Sequence, residues 1–141
     1  MTQIAQLMSD ITEKLKTVPA LAGRVGMAAG GKPGDPTMRG AKIPFAWPIY
    51  SGDNARTTQT SLQSTPVTHE VIVKVALTYG TEKEMTEVMW PALQSVIEHV
   101  TATPIAAIKG QCLRWSYMGQ SLEEIDERLV YVQRYSVQGN V

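Results

Sequence analysis

The stretch GMAAGGKP places Gly26, Gly31 and Lys32 at the spacing of a phosphate-binding loop, G-x-x-x-x-G-K-[ST]. That loop works because glycine-rich backbone amides at a helix N-terminus cradle phosphate oxygens while the Ser or Thr hydroxyl binds Mg²⁺. Here Pro33 stands at the hydroxyl position and offers neither hydroxyl nor amide hydrogen, and Gly34-Asp35-Pro36 forbids the helix that should follow. A chain of 141 residues is also short for a nucleotide-hydrolysing domain with its usual five-stranded sheet. The stretch reads as a loop.

Other groups that could do chemistry fare no better. His69-Glu70 begins like the zinc-protease motif H-E-x-x-H, but position 73 is Val and the segment reads as a strand, which does not bring two ligands four apart together as a helix does. The second histidine, His99, falls at a helix C-terminus, where imidazole usually satisfies carbonyls or solvent. Cys112, the single cysteine, reads as a buried structural thiol in a strand. Glu123, Glu124, Asp126 and Glu127 form an acidic run without a neutral ligand or calcium-loop glycine nearby, so it reads as a solvated turn. The expectation is a protein with no catalytic, cofactor or metal site, and not an enzyme.

Charge patterning leaves one asymmetry. Lys plus Arg equal Asp plus Glu at 13 each, so no overall field draws the chain to nucleic acid or to an anionic membrane. Residues 24–56, however, carry Arg24, Lys32, Arg39, Lys42 and Arg56 against Asp35 and Asp53, a surplus of three positive charges. On loops, Lys32, Arg39, Lys42 and Arg56 could face phosphate or an acidic partner surface, such as the Glu123–Glu127 turn of a neighbouring copy. One cysteine allows no internal disulfide, and the start MTQIAQLMSDITEKL lacks the apolar core of a secretion signal, which together suggest a reducing cytoplasm. No apolar run approaches the ~20 residues that span a bilayer.

The elements that would position these groups follow from periodicity. Ile4, Leu7, Met8, Ile11, Leu15 and Val18 recur at spacings of three and four and predict an amphipathic helix ended by Pro19. A short strand is expected near 24–28. The segment GGKPGDPTMRGAK holds four glycines and two prolines in 13 residues and reads as a long loop over 30–42. IPFAWPIY (43–50) reads as a strand whose Pro44 and Pro48 confine it to a sheet edge or a bulge. A second polar loop is expected over 51–66.

VTHEVIVKVALTY (67–79) alternates Val67, Val71, Val73, Val75, Leu77 and Tyr79 with Thr68, Glu70, Lys74 and Thr78, the signature of a half-buried strand. Gly80 ends it, and Thr81 caps a helix whose apolar face runs from Met85 to Val100, with Pro91 kinking it. A strand over 112–118, the acidic turn over 119–127 and a last strand over 128–137 complete the chain, with Leu129, Tyr131 and Tyr135 opposite Val130 and Val132. The expected class is α+β, one domain over 1–141 built on a mostly antiparallel sheet of about four or five strands with two helices packed on one face.

This layout resembles the tail terminator, or tail-completion, proteins of long-tailed bacteriophages and related minor tail proteins. The resemblance rests on the helix in IAQLMSDITEKLKTVPALAGRV, the strand IPFAWPIY, the long strand VTHEVIVKVALTYG, the helix EMTEVMWPALQSVIEHV and the closing RLVYVQRYSV, and covers nearly the whole chain. It implies a structural virion protein that assembles into a homohexameric ring, caps the tail tube, ends its polymerisation and offers a joining surface to the head connector. Implied partners are other copies of the chain, tail-tube protein, the head–tail connector or stopper, and transient, non-specific contact with DNA in the channel through Lys32, Arg39, Lys42 and Arg56, with no membrane. The implied location is the head-proximal end of the virion tail, with the host cytoplasm during assembly. A head–tail neck or stopper protein is the alternative within this class. A small host ligand-binding domain, its pocket lined by Phe45, Trp47 and Tyr50, is the alternative from another.

Overall fold

The computed structural model describes residues 3–26, 44–55, 66–78, 80–105, 113–125 and 128–140. Helix α1 (Gln3–Lys16) buries Leu7, Met8, Ile11 and Leu15 along one stripe. Burying each of these side chains contributes on the order of 1.5–3 kcal/mol, so the stripe rather than intrinsic propensity holds the helix in place. Lys14 and Lys16 occupy its last turn, where cations suit the negative end of the dipole. Pro19 stops it, and a 3₁₀ turn (Pro19–Leu21) follows.

Four strands form one antiparallel sheet: β1 (Phe45–Ala55), β2 (Pro66–Thr78), β3 (Ser116–Ile125) and β4 (Arg128–Asn140), in the order β1-β2-β4-β3. Between β2 and β3 runs a helical stretch made of α2 (Glu82–Glu84), a π-helical turn (Met85–Met89) and α3 (Trp90–Thr101). Thr81 caps it as expected, accepting from the Glu84 N–H at 3.2 Å. Pro91 has no N–H to give the Glu87 carbonyl, and its ring crowds that carbonyl. The backbone answers with the π turn, in which Trp90 N–H reaches back five residues to the Met85 carbonyl.

The α+β class, the four-stranded sheet and the two helices on one face agree with the sequence. Val71, Val73, Val75 and Leu77 of β2, Leu129, Tyr135 and Val137 of β4, and Leu93, Val96 and Val100 of α3 join the α1 stripe in one core. The other sheet face carries a smaller cluster of Trp47, Ala76 and Val130.

Several boundaries differ from the sequence reading, among them the last strand, expected over 128–137, which runs on to Asn140. β1 runs on to Ala55, into what composition marks as a loop, because a bulge between Tyr50 and Gly52 lets the polar residues continue pairing with Glu70 to Val67. β3 starts at Ser116 and extends through Ile125, so the expected acidic turn over 119–127 is strand as far as Ile125. A second bulge, between Tyr117 and Gly119, breaks the alternation that would have revealed it. Near the start, where a strand over 24–28 is expected, Val25 makes an isolated parallel bridge to Ala46, and residues 27 and 28 lie outside the described residues.

That bridge explains the proline of β1. Ala46 donates its N–H to the Arg24 carbonyl and its own carbonyl accepts the Gly26 N–H, so the backbone groups of residue 46 point away from β2. Two residues on, Pro48 points the same way, and its missing N–H costs the ladder nothing. β1 is an edge strand, as Pro48 requires.

The two bulges bracket one row of the sheet, Tyr50–Val71–Tyr135–Tyr117. Each is relieved by a glycine with positive φ, Gly52 at 145° and Gly119 at 119°.

Candidate functional site

β3 is the sheet edge opposite β1, and among the described residues it concentrates exposed apolar side chains: Tyr117, Met118 (63% exposed) and Leu122 (52% exposed). Val88 and Trp90, at the π turn and the start of α3, are exposed as well. Buried hydrogen bonds tie α3 to this edge. Tyr135 donates its hydroxyl to Gln133 Oε1 at 2.7 Å, and Gln133 Nε2 donates both to the Leu93 carbonyl and to Gln120 Oε1 of β3, each at 3.2 Å. Burial pushes the Tyr135 phenol well above its ordinary range, so it stays a donor.

On the sheet face away from the helices, Ser51, Glu70, Ile72, Met118 and Arg134 line a groove of about 270 Å³. It includes both bulged residues, Ser51 and Met118, and so follows the bracketed row across the sheet. Beside it Lys74, opposite Val132 in register, reaches across β4 to Glu123 Oε2 at 3.4 Å. Arg134 donates to Ser121 Oγ at 3.3 Å.

Of the residues singled out by charge, Glu123 and Glu124 lie exposed on β3, not in a turn. Glu123 is already engaged by Lys74 within the subunit. Asp126, Glu127, Lys32, Arg39, Lys42 and Arg56, and with them Cys112 and the loops 30–42 and 56–65, lie outside the described residues. Phe45 and Trp47 pack with each other, ring centroids 5.7 Å apart, on the sheet face away from the helices. Tyr50 packs against the helix-side core, so the three aromatics do not line one pocket.

His99 uses Nδ1–H locally, donating to the Ser95 carbonyl at 2.8 Å. His69, which the sequence reading weighed only as a zinc ligand, is a different case. It is 2% exposed, with Nδ1 at 2.8 Å from the Tyr50 hydroxyl and Nε2 at 2.9 Å from Gln3 Oε1. Tyr50 also reaches Asp53 Oδ2 at 2.9 Å. Burial lowers the imidazole pKa against a smaller upward pull from Asp53. Burial and the hydrogen bond to Asp53 raise the Tyr50 phenol to about 12. A phenol held that high is no nucleophile near neutrality, and the row ties strands to a helix. The signal for it was positional: His69 shares the parity of Val67 and Val71.

Among the described residues, no three His, Cys, Asp or Glu side chains gather where they could hold a metal ion. No described helix is long and apolar enough to cross a membrane.

No family model matches the sequence, and no curated protein sequence matches it. Among solved structures, the fold is similar to that of a chain in the "Virion of native gene transfer agent (GTA) particle". The TM-score is 0.58 at 13% identity, over 99% of this chain and 100% of that one. At this identity the likeness is one of fold.

Proposed function

We propose that this chain is a structural protein of a phage-like virion and that it forms the ring that caps the tail tube and receives the head connector. The observation that carries the reading is the shared fold, end to end, with a chain of a gene transfer agent virion. The element order and flavour of the sequence point the same way. Such a role needs no active site. A ring closes by heterologous contacts, one patch of each copy meeting a different patch on the next. The ring ends a growing tube by matching one tube subunit while presenting a face that another cannot use.

On this reading the β3 edge, with the exposed Tyr117, Met118 and Leu122, supplies one of the two patches. The charge pattern of the sequence makes Lys32, Arg39, Lys42 and Arg56 the candidates to meet channel DNA or an acidic partner surface, and replacing Arg39 and Arg56 with Glu is expected to block virion assembly. The deciding experiment is solution mass by light scattering, alone and after mixing with tail-tube protein or with connector protein. A ring near six times the 15.4 kDa chain mass that binds tube ends supports the cap. Binding to connector alone transfers the role to the neck, and a monomer that ignores both overturns the reading.

A further inference from the structure

The row Gln3–His69–Tyr50–Asp53 has a proton inventory that its geometry fixes. Tyr50 Oη stands 2.9 Å from Asp53 Oδ2 and 2.8 Å from His69 Nδ1, and it has one hydrogen to give. The carboxylate can only accept, so the phenol donates to Asp53. His69 Nδ1 must then carry a hydrogen and donate to the phenol oxygen. At the far end of the ring Nε2 faces Gln3 at 2.9 Å. With Gln3 Oε1 toward the ring, that contact requires a hydrogen on Nε2 too, which makes the ring an imidazolium. With the ring neutral, Nε2 is a bare acceptor and the Gln3 amide must turn to present its NH₂.

The other neutral tautomer, with the proton on Nε2, would take the phenol hydrogen onto Nδ1. It would leave Asp53 Oδ2 and Tyr50 Oη at 2.9 Å with no hydrogen between them. From β1 the groups facing the ring are thus Tyr50 and Asp53, and Asp53 lies directly opposite in register. From β4 the opposite residue is Val137, which does not titrate. From α1 it is Gln3, whose amide also lies close enough to Gly139 that a Cβ added there would stand 3.1 Å from its Nε2. Asp53 is the one charged group acting on the ring among the described residues.

We propose that this row is a proton-operated latch on the first turn of α1: His69 in its neutral and charged forms demands opposite ends of the Gln3 amide, so a proton resets the contact that fastens the helix to β1 and β2. Gln3 is the first residue of α1, and its carbonyl is the helical acceptor for the Leu7 N–H, so the latch governs the turn between them. Burial favours the neutral form, with Nδ1–H and the Gln3 NH₂ toward Nε2. Acid charges a ring that is 2% exposed, and the strain is relieved by opening that turn to water.

The test is a ¹⁵N NMR titration of the imidazole with amide exchange measured alongside. The expected neutral form carries its proton on Nδ1, the Gln3 side-chain NH₂ signals shift with the same midpoint as the ring, and that midpoint lies below the ordinary 6.5. Tyr50→Phe, which removes one oxygen, moves the proton to Nε2. The exchange protection of Leu7, corrected for intrinsic pH dependence, falls as the ring charges in the native chain and stays level in Gln3→Ala. An Nε2–H tautomer in the native protein overturns the latch, as does a Gln3 amide indifferent to the ring's charge or a Leu7 response identical in Gln3→Ala.

Discussion

Trp115, at the approach to β3, donates its indole N–H to Asp10 Oδ2 of α1 at 3.0 Å, across 105 residues of chain. The same oxygen takes Lys14 Nζ at 3.0 Å. Trp115 is 2% exposed, so its N–H has given up water and depends on this carboxylate. Asp10→Ala should therefore cost about 1–3 kcal/mol, the penalty of orphaning a buried donor. Trp115→Phe in the Asp10→Ala background should cost less than in the native chain, because the orphan is already there. A double-mutant cycle by urea unfolding checks both, and strictly additive costs would show that the bond contributes nothing.

The two bulges make a second prediction. Gly52 and Gly119 hold φ at 145° and 119°, a region that side chains with a Cβ enter only with strain. Space is not the obstacle, since an added Cβ meets nothing within 4 Å at either place. Gly52→Ala and Gly119→Ala should each cost about 1–3 kcal/mol through backbone strain alone. Unfolding midpoints that match the native chain would mean that the bulges can rearrange without loss.

Acid and alkali should destabilise the chain through neighbouring groups. His69 has its folded pKa lowered, so the unfolded chain takes up a proton first as pH falls below 6.5. Stability contributed there is complete above 6.5 and is lost as pH falls toward the lower folded value. Tyr50 runs in the opposite sense: with its folded pKa near 12, its contribution is complete below 10 and is lost as pH rises from 10 to 12. Urea midpoints across pH should fall at both ends. Tyr50→Phe should make the alkaline limb shallower, leaving the part that the raised Tyr117 and Tyr135 phenols contribute, and His69→Gln should flatten the acid limb. An unchanged alkaline limb in Tyr50→Phe would assign that loss to other tyrosines.

How far the sequence carries depends on what each element buries. Helix α1 and strand β2 were legible because each has one covered face, so Leu7, Ile11 and Leu15 or Val71, Val73 and Val75 print its period directly. The edge strands were not. β3 has few buried side chains and a bulge at Met118, so the backbone pairing of Ser121 to Glu124 with β4 is held by hydrogen bonds that leave no mark on residue type. For the same reason the Glu123 carboxylate read as part of a turn, although Lys74 reaches it over β4. The latch was half legible: parity places His69 inside, but its partners Gln3, Tyr50 and Asp53 come from two other elements and only the fold brings them together.

The β3 edge allows a direct test of assembly. Met118 and Leu122 expose more than half of their surface in the subunit, so replacing either with Lys removes little that the isolated fold uses. The expected change in subunit stability is within about 0.5 kcal/mol. If this edge joins copies in the proposed ring, burying a lysine there costs far more, and Leu122→Lys and Met118→Lys should stay monomeric under conditions in which the native chain assembles. Thr86→Lys, on the exposed π turn rather than on β3, serves as the control for added charge. Light scattering reads the mass and urea unfolding confirms the fold. Rings of native size in both β3 variants would move the contact to another surface of the subunit.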